Sequence, residues 1–186
     1  AMAKEKGPVS EQEVRKQTWL RDLSGFIVEA NKNTWAADLG EVEPQRPGFK
    51  ELEYKRGQWK LRDSYAGYFK GPGMTTVYYQ DVPAWAMLYA GVGQVEGHEA
   101  TAKETYAFLR TALMKATPEH PFRGPELHED GRWRYTFKLD GNIEDGLWRE
   151  EITDSGILVF SQSGIIGTSI PKDENRQPIL PWNRPS

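Results

Sequence analysis

The spacing of apolar positions changes period along the chain, and each change marks an element. Trp19, Leu23, Phe26, Ile27 and Ala30 recur every three or four residues and so share one stripe of a helix. Ser10-Glu11-Gln12-Glu13 ahead of them has capping-box spacing, which predicts a helix from Ser10 to about Asn31, with Gly25 as its weak point. Asp38 to Gly48, with Pro44 and Pro47, reads as a loop. From Phe49 to about Ala90 the period is two. Leu52 and Tyr54, Trp59 to Tyr65, Thr75 to Tyr79, and Trp85, Met87 and Tyr89 form strands separated by Arg56-Gly57, Gly71-Pro72-Gly73 and Gln80-Asp81. A second helix is predicted from His98 to Ala116, with Ala102, Tyr106, Leu109 and Leu113 on one stripe and Pro118 closing it. A second meander follows: Glu126 to Glu129, Trp133 to Leu139, Leu147 to Thr153, Gly156 to Gln162 and Ile165 to Ile170.

Each amphipathic element must bury its apolar face, which predicts an α+β domain of two helices packed on a curved antiparallel sheet in helix-meander-helix-meander order. The two similar halves raise a pseudo-twofold repeat as a further expectation. Residues 10–170 are expected to form the single domain and 171–186 a proline-rich extended tail. Residues 1–9 are expected to be a disordered N-terminus, in which Ala1 before Met2 reads as the scar of a removed tag.

Composition narrows the function classes. Seven Trp, eight Tyr and seven Phe offset a modest apolar fraction of 38% by supplying large buried areas per residue. A net charge of −3 gives no global positive field for nucleic acid or anionic membrane, so neither is expected as a partner. With no cysteine there is no disulfide, thiolate nucleophile or cysteine metal ligand. No run of about 18 apolar residues occurs, and a cytoplasmic location is the expectation.

Asp63 is the anomaly. Read with period two, Trp59, Leu61, Asp63 and Tyr65 share a face while Lys60, Arg62 and Ser64 share the other. An acid on a core-directed face must be paired, hydrogen-bonded or held neutral, so it marks a structural knot or a site. As a knot it would bond to backbone amides or Arg62; as a catalytic acid it would act with Glu53 or Glu151. Trp59, Tyr65, Tyr78, Tyr79, Trp85 and Tyr89 either line a cleft or form core.

Other motifs fall short of their chemistry. Gly91-Val92-Gly93 continues to Glu96 where a dinucleotide loop needs a third glycine, so the segment to Gly97 reads as a plain loop. His98-Glu99 begins like a zinc-protease helix, but Ala102 stands where the second imidazole belongs, and His120 and His128 lie in or beside a loop; no metal is expected. No G-x-S-x-G elbow occurs, and Ser163-Gly164 reads as strand or turn. Arg132, Arg134 and Lys138 form a stripe blunted by Glu129, Asp130 and Asp140, as on a solvated face.

A family pattern accompanies these features. Phe26-x-x-x-Ala30-x-x-x-Thr34-Trp35-Ala36, Leu52-x-Tyr54, Arg62-Asp63-Ser64-Tyr65-x-Gly67 and Pro83-x-Trp85-x-Met87-x-Tyr89-x-Gly91 are followed by Tyr106-x-Phe108-Leu109-Arg110-x-Ala112-Leu113 and Phe122-Arg123-Gly124-Pro125. Together, over about Leu23 to Gly167, they resemble domain-of-unknown-function family 5680, a bacterial family found alone or behind helix-turn-helix domains of regulators. The chain departs from that pattern at Gly73-Met74-Thr75-Thr76, where an acid is expected after glycine and phenylalanine. The resemblance implies a sensing or interaction module, here without room for a helix-turn-helix domain before Leu23. It supplies no catalytic residues.

The resulting expectation is a small-molecule-binding or sensory domain, with Arg62, Asp63, Tyr65, Trp85 and Tyr89 near a cleft and no cofactor. Two alternatives stand beside it. One is a cofactor-independent hydrolase or isomerase using Asp63 as acid or base. The other is a protein-interaction module, docking through the tail or a sheet edge, including as a homodimer.

Overall fold

In a computed structural model, which describes residues 8–186, Ser10 caps helix α1 (Glu11–Lys32) by accepting a 3.2 Å hydrogen bond from the Glu13 amide. That bond satisfies one of the free N–H groups of the first turn, as the capping spacing predicts. A 3-10 turn, Trp35–Ala37, leads to the short strand β1 (Glu41–Val42) and then to β2 (Lys50–Arg56), β3 (Trp59–Tyr65), β4 (Gly73–Tyr79) and β5 (Val82–Gln94). Helix α2 (Ala102–Leu113) precedes β6 (Leu127–Asp130), β7 (Trp133–Gly141), β8 (Asp145–Asp154) and β9 (Ile157–Thr168). The α+β class and the helix-meander-helix-meander order are as the periodicity predicts. Residues 1–7, with most of the expected N-terminal segment and its tag scar, lie outside the described residues.

All nine strands form one antiparallel sheet in the order β1-β2-β3-β4-β5-β9-β8-β7-β6. The last strands of the two meanders are therefore neighbours, an arrangement with the connectivity of a two-fold between β5 and β9. One apolar cluster fills the space between sheet and helices. It takes Leu23, Phe26 and Ile27 from α1, Phe108, Leu109 and Leu113 from α2, and Leu61, Val77, Trp85, Tyr135, Trp148, Ile152 and Phe160 from the strands. Among the described residues no helix is long and apolar enough to cross a membrane.

Several boundaries differ from the sequence expectation. Strand β5 continues through Gly91-Val92-Gly93 as a bulge instead of ending in a loop. Gly93 adopts φ +65°, a Cβ there would lie 2.1 Å from the Phe69 carbonyl oxygen, and the Gln94 amide donates to that oxygen at 2.7 Å. The glycine thus extends the strand by admitting the preceding hairpin loop. Strand β9 is continuous where two strands are expected, because Ser163 and Gly164 stay in register with Ala90 and Tyr89 on one side and Arg149 and Trp148 on the other. Helix α2 is shorter, since Glu99–Thr101 forms a 3-10 turn ahead of it.

The tail is folded back, not an extended arm. The Ile179 amide donates to the Pro171 carbonyl at 2.8 Å, Lys172 bridges to Pro178, and Trp182 packs at a tilt against Trp19 of α1 with ring centroids 5.9 Å apart. Burial of an indole on an apolar helix face outweighs the extended preference of the prolines.

Candidate functional site

Strand alternation brings Asp63, Thr75 and Met87 into one cross-strand row on the helix-covered face, with Tyr65, Gly73 and Tyr89 in the next. The phenol of Tyr89 crosses above Gly73 to reach Asp63. A Cβ at Gly73 would stand 2.5 Å from the Tyr89 hydroxyl oxygen, so the missing side chain is what lets the two groups meet. Tyr89 donates to Asp63 Oδ1 at 2.7 Å and Thr75 Oγ1 donates to the same oxygen at 3.0 Å. Both side-chain donors thus converge on Oδ1, and the Ser64 backbone amide also favours the carboxylate. Burial raises the Asp63 pKa; the Tyr89 and Thr75 bonds and the charge of Arg123 oppose that rise without cancelling it. The Tyr89 phenol is pushed well above its ordinary value, first by burial and then by the Asp63 carboxylate.

A second buried carboxylate stands on the same face. Glu150, fully enclosed between Trp148 and Ile152 along β8, accepts from Arg123 Nε at 3.0 Å and from Arg123 Nη2, from the Tyr135 hydroxyl at 2.8 Å and from Gln162 Nε2 at 3.3 Å. Four donors on two oxygens compensate its desolvation. Burial alone would lower the Arg123 pKa, but the Glu150 charge and hydrogen bonds outweigh it and keep the guanidinium charged. Arg123 sits in the loop between α2 and β6. Asn31 Nδ2 at the end of α1 holds that loop by donating to the Pro121 carbonyl at 3.3 Å.

Between these polar groups and the helices lies a cavity of about 130 Å³. Asp63, Tyr89 and Gln162 form its floor, Arg123 and Arg110 project into it, and Trp35, Tyr65, Tyr106, Phe122 and Phe160 supply its walls. Tyr106 closes one side by donating to the carbonyls of Tyr68 and Phe69 at 2.5 and 3.2 Å. Its pKa rises to about 12, through burial first and Tyr68 second. Among the described residues no group of three or more His, Asp or Glu side chains could hold a metal ion.

Of the residues singled out in the sequence, Asp63, Tyr65 and Tyr89 line this cavity. Arg62 and Trp85 do not. Arg62 points to the opposite face, where Nε donates to Glu51 at 2.9 Å, Nη1 to Glu53 at 2.8 Å and Nη2 to the Glu43 carbonyl at 3.0 Å. Adjacent residues in a strand face opposite ways, so Arg62 cannot support its neighbour. Trp85 is wholly buried, stacks on Phe122 and donates to the Ile143 carbonyl at 2.8 Å, as a core residue. Trp59 and Tyr79 pack beneath Trp19 of α1. Tyr78, on the outer face, carries Lys60 over its ring. Glu53 pairs with Arg62 and Glu151 with Arg149, so neither is the second carboxylate. That role falls to Glu150, whose position between Trp148 and Ile152 carries the same alternation signal that marks Asp63.

The fold and site define a class: an α+β domain whose helices roof a polar-floored cavity on one face of an open sheet. Within it, the chain belongs to the family described as Domain of unknown function (DUF5680), whose model matches residues 63–168, from Asp63 itself to the end of β9. No curated protein and no solved structure matches the chain.

Proposed function

We propose that this protein is a small-molecule-binding domain whose cavity takes a ring-bearing ligand against Asp63. The observation that carries this is a buried carboxyl lining the cavity whose two side-chain donors both fall on one oxygen. A structural acid would have its hydrogen-bonding capacity filled from within the fold, as Glu150 does. A cavity of about 130 Å³ is close to the roughly 150 Å³ that accommodates benzene in an engineered core, so one ring fits and larger substituents reach the mouth. The test is a screen of single-ring compounds by amide chemical-shift perturbation, in the wild-type protein and in Asp63→Ala. Perturbations clustered at Trp35, Tyr89 and Tyr106 in the wild type, lost in the variant, are expected. Binding that ignores the substitution would defeat the proposal.

A second reading is supported by the Tyr89 phenol 2.7 Å from a carboxyl whose pKa is raised, an arrangement suited to general acid–base work by Asp63 in a hydrolase or isomerase. It requires that a ligand found by the screen be turned over, and that Asp63→Asn abolish turnover while binding survives.

A further inference from the structure

Two guanidiniums in the cavity have donors that the protein leaves unfilled, and both stand against the same indole. Arg110 places its guanidinium carbon 5.1 Å from the centre of the Trp35 ring, and Arg123 lies 6.0 Å from that centre. Arg110 Nε is buried and has no hydrogen-bond partner, while Nη2 lies 3.6 Å from the largely exposed Asp38. Arg123 commits Nε and Nη2 to Glu150, so among the described residues Nη1 has no acceptor. Asp63 is the only carboxyl among the residues lining the cavity, and its bonded oxygen already accepts from Tyr89 and Thr75.

Arg110 Nε, buried without an acceptor, carries a desolvation penalty that an incoming acceptor recovers. Cationic ligands are disfavoured, because the π face of Trp35 that would attract an ammonium already faces two guanidiniums. We infer that the ligand carries a carboxylate, received by Arg110 Nε and Arg123 Nη1 over Trp35, with its ring lying among Tyr65, Tyr106 and Phe160. This deepens the proposed function and rests on it. Asp63 and Tyr89 then meet the other end of the ligand, so the polar groups flank the ring instead of crowding one edge.

The experiment is calorimetric titration of the protein with benzoate, benzamide and benzylamine, three single-ring probes of similar size and different charge. Benzoate is expected to bind at least about tenfold tighter than benzamide, as a charge-assisted hydrogen bond surpasses a neutral one, and benzylamine not at all. Arg110→Gln should weaken benzoate by about tenfold and leave benzamide within about twofold. Arg110 is partly exposed, so its replacement tests the site without stranding Glu150, as a change at Arg123 would. Arg110→Lys, which keeps the charge but loses the planar Nε donor, should also weaken benzoate. Tighter binding of benzylamine, or benzoate affinity indifferent to both substitutions, would overturn the inference. If benzamide binds as well as benzoate and depends on Asp63, the carboxylate assignment falls while the binding domain stands. If neither these probes nor any ring compound in the screen perturbs the cavity, both fall together.

Discussion

Asp63 is a buried acid that the fold holds at some cost to stability. Its folded pKa lies above the ordinary 3.8, so the folded state holds the proton more tightly than the unfolded chain. The stability it confers is fully present below pH 3.8 and is lost as pH rises through the raised folded value. Asp63→Asn keeps an acceptor for Tyr89 and Thr75 without the charge, and is expected to leave the thermal midpoint at pH 7 unchanged or higher. That difference should vanish near pH 3, where the wild-type carboxyl is neutral. A variant clearly less stable at pH 7 would mean that the charge is compensated in the fold. Gly73 carries a separate prediction. Gly73→Ala drives a methyl into the Tyr89 hydroxyl, and urea denaturation should register a loss of about 1 to 3 kcal/mol, the usual penalty of overpacking. Asp63 was legible because alternation assigns it a face with Trp59 and Leu61. The proximity of Tyr89, two strands away in the sheet, was not, because it depends on register and on an absent Cβ between them.

At the scale of elements, α2 lines the cavity directly, while β8 anchors the cavity-lining Arg123 through Glu150. Leu109 is 1% exposed and belongs to the common core, so Leu109→Ala should cost about 2 to 5 kcal/mol in chemical denaturation; an unchanged midpoint would remove α2 from the core. On β8, Glu150→Gln leaves Arg123 buried without its counter-charge and is expected to cost about 3 to 5 kcal/mol. Replacing both, as Arg123→Met with Glu150→Leu, should recover much of that loss, since the desolvation of both ions disappears with the pair. Failure of the double variant to recover would assign the stability to Tyr135 and Gln162, which also bond Glu150. The helices and most strands follow from periodicity and caps. The continuity of β5 and β9 does not, because Gly91, Gly93 and Gly164 read as breaks until neighbouring strands supply their hydrogen bonds.

Over the whole molecule, the tail clamps α1 to the first meander. Trp182 packs at a tilt against Trp19, Arg184 donates to the Tyr79 carbonyl at 3.4 Å, and Gln80 Nε2 donates to the Pro185 carbonyl at 2.6 Å. Trp182→Ala should therefore lower stability by about 1 to 3 kcal/mol, less than a fully buried aromatic truncation, and change the fluorescence of the Trp19 cluster. A midpoint within error of the wild type would return the tail to the status of a solvated arm. The outer face of the sheet is more open. There Leu88, Ile165 and Leu147 are cross-strand neighbours, each about half exposed, in a row over β5, β9 and β8.

The sequence by itself determined the period of each segment, and with it the two helices, the two meanders and the face on which Asp63 lies. These are local properties, set by side-chain spacing along a helix or strand and by caps and turns a few residues long. Tertiary structure alone decided that β5 and β9 meet, which brings Tyr89 and Gln162 to one floor, and that the loop after α2 delivers Arg123 to Glu150. It also decided that Trp85 is core and that Trp35 faces two arginines. Such partnerships join residues far apart in the chain through strand order and loop placement. Neither leaves a period in the sequence, so the acid could be found from its neighbours but its site could not.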